Sequence, residues 1–151
     1  MFQSERFENA VFEPRTESVS VPALADFFDS EEDAEWTVRG LNSNELHKAM
    51  ESGATRKTLG KVVEAISESG QIAADIRKAI GMTKETPGEM AKRLEMLVAG
   101  SVSPKVSWPM ATKLAENFPI EFLTLTNKIT TLTGMGSEMV KPAAASQQIA
   151  N

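Results

Sequence analysis

His47 is the only histidine of this 151-residue chain, and Glu51 follows it one helical turn later. An imidazole and a carboxylate at that spacing could serve as a base and its orienting group, but covalent catalysis also needs a nucleophile beside them. A metal site needs more ligands, and the chain has no cysteine to supply them. The ordinary outcome at i, i+4 is a surface pair of about 0.2–0.5 kcal/mol. The acidic run Asp29 to Glu35 (DSEEDAE) gathers carboxylates, yet it lacks the alternating ligand positions and the glycine of a calcium loop. Carboxylates that work as acid and base sit in an apolar cleft that tunes their pKa values. Here they crowd together or alternate with Lys and Arg, which is the pattern of a solvated face. Gly134-Met135-Gly136 is a GxG that follows a helical stretch instead of joining a strand to a helix, so it is no phosphate loop. These residue types give little support to an enzyme, and neither a cofactor nor a metal is expected.

Composition bounds the remainder. At 41% hydrophobic and 25% charged residues, the chain is ordinary for a globular protein and long enough to bury a core without staples. Its net charge of −5 arises in the first third, and the remainder from Ser52 is mildly basic and unstriped. An acidic front disfavours nucleic-acid backbones, which reward clustered Lys and Arg. The opening MFQSERFENAVF carries charges within any apolar stretch, unlike a signal peptide, and no run approaches a membrane span. The expectation is a cytoplasmic protein with no membrane partner.

The elements that would position these residues are mainly α. Val19 and Val21 alternate with Ser18 and Ser20 up to Pro22, and Glu35 to Arg39 alternates up to Gly40. These two short strands are expected to pair across the acidic loop as a small N-terminal hairpin. Ala23 to Phe28 reads as one helical turn with Leu24, Phe27 and Phe28 on one side. Asn42 and Glu45 have the form of a capping box, with Leu46, Ala49 and Met50 on one face and Gly53 as the stop. Thr55 caps a second helix carrying Leu59, Val62, Val63 and Ile66; Ile72, Ile76 and Ile80 repeat before Gly81. Thr86-Pro87-Gly88-Glu89 starts a helix whose face is Met90, Leu94, Leu97 and Val98, closed by Gly100. Ser101 to Val106 reads as a loop, and Ser107 caps the helix that Trp108 and Pro109 open. Residues 1–18 are expected to form a flexible arm, 19–136 a single helical domain, and 137–151 a disordered polar tail.

Phe118, Phe122, Leu125, Ile129 and Leu132 step by 4, 3, 4 and 3, the amphipathic stripe of one helix. That stripe could be the domain's own core, which is the commoner use, or a docking face. Trp108 and Met135 join it as candidate protein-binding residues, because Trp is frequent among interface hot spots and Met suits surfaces that re-pack. A small DNA-binding regulatory protein of helix-turn-helix type is the alternative: Ile72 to Ile80, a turn at Gly81, then Thr86 to Val98 with Lys92 and Arg93. Its link is long for that motif, and Glu85, Glu89 and Glu95 would face phosphates.

Four blocks resemble the tail assembly chaperone family of long-tailed, siphovirus-type bacteriophages and prophages. They are Trp36 to Leu41 (WTVRGL), Arg93 to Val102 (RLEMLVAGSV), Leu114 to Phe122 (LAENFPIEF), and Leu125 to Ile129 (LTNKI) with Leu132 to Gly134 (LTG). With the strand pattern that begins at Val19, the likeness spans about residues 19 to 136; Met50 to Glu85 matches only in helical character. The resemblance implies a non-enzymatic protein of virion assembly that binds the tape measure protein and keeps it soluble while the tail tube polymerises around it. It also implies, through a frameshifted longer form found in many relatives, contact with the tail tube subunit, and absence from the mature virion. It transfers no catalytic residue and leaves the oligomeric state open.

Overall fold

The computed structural model describes residues 1–66 and 88–140, with side chains described for 1–54 and 88–140. The described chain is mainly helical with a small sheet. In order it runs α1 (Ser4–Asn9), β1 (Phe12–Glu13), β2 (Thr16–Ser20), two 3-10 turns (Pro22–Phe27 and Glu31–Asp33), β3 (Glu35–Arg39), α2 (Ser43–Ile66), α3 (Gly88–Gly100), β4 (Ser101–Ser103), α4 (Trp108–Asn117), α5 (Pro119–Met135) and β5 (Glu138–Met139).

β2 and β3 pair antiparallel as the alternation predicts, Val19 opposite Trp36 and Glu17 opposite Val38. The expected hairpin gains a third strand. β4 lies antiparallel on the far side of β3, Thr37 opposite Ser103, in the segment that reads as a loop from sequence. What recruits it is visible at one residue: the buried Trp36 indole donates from Nε1 to Ser101 Oγ at 3.0 Å, and a buried indole N–H needs such an acceptor.

One face of the sheet packs on the helices. Val21, Leu24, Trp36 and Val38 join Leu94, Met96, Leu97, Leu114, Phe122, Leu125, Ile129 and Leu132 in one buried cluster. α3 runs through its centre and touches α2, α4 and α5. The capping box forms as expected: Glu45 N–H donates to Asn42 Oδ1 at 2.9 Å, and Asn42 N–H donates to Glu45 Oε1 at 3.1 Å. Ser107 caps α4 by accepting from the Met110 N–H.

Four expectations need correction. Gly53 does not stop a helix; α2 continues through it to Ile66. A Cβ on Gly53 would lie 2.6 Å from the Gly88 carbonyl oxygen, so the glycine lets two helices approach closely. Met50 faces solvent, and only Ala49 of that turn is fully buried. Residues 1–18 are not a free arm, because β2 starts at Thr16 and β1 pairs with β5, Phe12 opposite Met139 and Glu13 opposite Glu138. The same ribbon removes residues 138–139 from the expected loose tail. The remainder of that tail, the Ile72 to Ile80 repeat and the Thr86-Pro87 cap lie outside the described residues, as do the side chains of Leu59, Val62, Val63 and Ile66.

Candidate docking surface

The stripe of α5 faces inward. Phe122, Leu125 and Ile129 are at most 1% exposed, and Leu132 is buried beside them. Pro119 opens the helix within its first turn, where its missing N–H leaves no bond unmade. From there the 3.6-residue repeat turns these side chains onto α3 and the sheet. They are therefore core, and no partner reaches them in this fold; the docking assignment to these four residues is corrected accordingly.

Trp108 and Phe118 are half-buried and pack against that core. Trp108 is tied down from inside: its Nε1 donates at 2.7 Å to Glu95 Oε2. Glu95 is almost wholly buried on α3 and also pairs with Lys48 of α2, Nζ to Oε1 at 3.3 Å. A buried carboxylate is tolerated only when charge and hydrogen bonds compensate it. This indole has a structural task, fastening α4 to α3. Of the seven candidates Met135 alone is exposed, at 57%, at the C-terminal end of α5.

The exposed apolar surface lies elsewhere. Phe2, Phe7 and Phe12 are 72%, 54% and 44% exposed, and they stack in series. Ring centroids are 5.4 Å apart in both contacts, with the planes tilted by 52° and 48°, within the preferred range for aromatic pairs. Val11, Met139 and Val140 are exposed on the same β1–β5 ribbon, whose register is held where the Val140 N–H donates to the Val11 carbonyl at 2.7 Å. Arg15 fastens the ribbon to the end of α5, donating from Nε to the Gly136 carbonyl at 3.1 Å and pairing through Nη1 with Glu138 at 3.2 Å. Gly136 takes φ +74° there, a conformation glycine adopts without steric cost. A second exposed set, Met110, Ile120 and Leu123, lies on α4 and α5.

Sequence reasoning passed over the phenylalanines because their spacing of five matches neither helical nor strand periodicity. Their signal was the occurrence of three aromatics in twelve residues outside any apolar stripe.

The other sequence candidates settle simply. His47 and Glu51 form an i, i+4 surface pair at 3.1 Å, both side chains largely exposed. The carboxylates of Asp29 to Glu35 are exposed around a short turn. Among the described residues no helix is long and apolar enough to cross a membrane, and no group of three His, Asp or Glu could hold a metal. The Ile72 to Ile80 half of the helix-turn-helix alternative lies outside the described residues, and Glu95 of its second helix is turned into the core.

Neither the family models, nor the curated proteins, nor the solved structures give a match to this chain.

Proposed function

We propose that this chain is a non-enzymatic tail assembly chaperone, which binds the tape measure protein in the bacterial cytoplasm and keeps it soluble during tail tube assembly. The observation that carries this reading is the stacked and solvent-exposed Phe2, Phe7 and Phe12, continued by Val11, Met139 and Val140. Apolar side chains gathered on a surface mark an interaction site, and an amphipathic helix docks by laying its apolar anchors on such a surface. The four sequence blocks that resemble this family point to the same kind of client, a long helical protein prone to aggregate. A frameshifted longer form that reaches the tail tube subunit belongs to the same proposal.

Co-expression with the largest protein encoded just downstream tests it. The expected result is that this partner becomes soluble and co-purifies with the chain. If the partner stays insoluble in the presence of the folded chain, the chaperone reading fails.

A further inference from the structure

The edge of the three-stranded sheet offers a contact that the client surface does not use. In the β2–β3 pair the Gly40 N–H donates to the Arg15 carbonyl, and the Val21 N–H donates to the Ala34 carbonyl. Antiparallel pairing alternates, so Arg15, Glu17, Val19 and Val21 turn their N–H and C=O groups toward β3. Thr16, Ser18 and Ser20 therefore turn theirs away from it, and all three residues are exposed. β2 is the edge of its sheet, with β3 as its one neighbour among the described residues, and no backbone hydrogen bond from a turn or loop there takes those groups.

Proteins ordinarily protect such an edge with a proline, a lysine or a bulge. Here Pro14 and Pro22 lie beyond the strand, and TESVS between them carries none. The strand's one charge, Glu17, is already engaged by Lys128 at 2.6 Å.

We propose that β2 pairs antiparallel with β2 of a second copy, about a two-fold axis through Ser18. The pattern is self-complementary. Ser18 meets the partner's Ser18, and Thr16 meets the partner's Ser20, so every outward N–H and C=O finds its complement. Glu17 falls opposite the partner's Val19, and no like charges face each other across the new pair. The small hydroxyl side chains of Thr16, Ser18 and Ser20 share the sheet face away from the core and place no bulk at the axis. An isologous contact of this kind closes on itself as a dimer, joining two three-stranded sheets into one.

Sedimentation equilibrium over a range of concentrations reads the association directly. The wild-type mass is expected to rise from 16.4 kDa toward twice that value. Ser18→Pro removes an N–H that β3 does not use, a place where an edge strand tolerates proline; it should fold and remain a monomer. Ser18→Ala keeps that N–H while losing the hydroxyl contact to Thr37, and should dimerise as wild type does.

The register is tested without relying on the proline variant. The chain has no cysteine, so Ser18→Cys carries a single thiol. A hydrogen-bonded antiparallel pair sets the two Cα atoms about 5.5 Å apart, within disulfide reach. Mild oxidation should give a covalent dimer from Ser18→Cys and none from Ser43→Cys. A wild-type chain that sediments as a monomer throughout, a Ser18→Pro dimer, or a Ser18→Cys chain that fails to cross-link would each overturn the proposal. None of these readouts involves the client, so the dimer and the chaperone reading stand or fall separately.

Discussion

At the scale of single residues, the junction between β3 and α2 shows what the chain spells out locally and what it does not. The Asn42–Glu45 box is legible because its two members lie three residues apart, and the structure forms both of its bonds. The partner that matters more is Arg39, which reaches across the strand–helix turn. It donates from Nη1 to Glu45 Oε1 at 2.8 Å, and its Nη2 engages the other carboxylate oxygen. That forked hydrogen bond holds the Glu45 carboxyl below its ordinary value against the opposing effect of burial, with a smaller contribution from the Asn42 N–H. It holds the Arg39 guanidinium above its own.

The sign of the pH effect follows from linkage. A carboxyl whose pKa is lowered by folding stabilises the fold fully above its unfolded value, about 4.3. That contribution is lost as pH falls through the lower folded value. Glu45→Gln keeps an acceptor for the cap but loses the charge. It should melt a few degrees below wild type at neutral pH, and the gap should close as the pH is brought below 4.3. Thermal melts of both proteins across that range check this; a gap that persists unchanged in acid would show that the charge is not its source.

At the scale of elements, periodicity identified faces but not what covers them. The 4, 3, 4, 3 spacing along α5 is as good a signature of a docking helix as of a core helix. The decision depends on whether α3 and the sheet arrive to cover it, and that is set by tertiary packing. β4 was hidden for a related reason: three residues carry no alternation, and pairing with β3 and the Trp36 bond make them a strand. Gly53 misled because a glycine inside a helix costs about 1 kcal/mol relative to alanine, which reads as a stop until the neighbouring helix is seen. Gly53→Ala would gain that propensity but press its methyl on the Gly88 carbonyl oxygen at 2.6 Å and on Lys92 Cβ at 3.3 Å. Overpacking of that kind costs about 1–3 kcal/mol, and backbone cannot yield as a side-chain tip does. The variant should therefore lose stability on denaturant titration. A gain would mean that α2 and α3 are farther apart at this crossing.

At the scale of the whole molecule, the core and the exposed aromatic surface are built from separate parts of the chain. No residue of α1 is buried, and both residues of β1 are exposed, whereas the buried cluster begins at Val21. The segment before β2 contributes surface, not core. Removing residues 2–10 takes away Phe2, Phe7 and α1 but leaves Val11 to hold Val140 and Arg15 to hold Gly136 and Glu138. With no buried residue lost, such a deletion should leave the melting temperature nearly unchanged, because stability follows the area removed from water. The client-solubilising activity proposed above should fall sharply, since two of its three stacked rings are gone. A large drop in melting temperature would make the aromatic segment part of the folding unit. Retained activity in a stable deletion variant would transfer the client to the other exposed apolar set, Met110, Ile120 and Leu123 on α4 and α5.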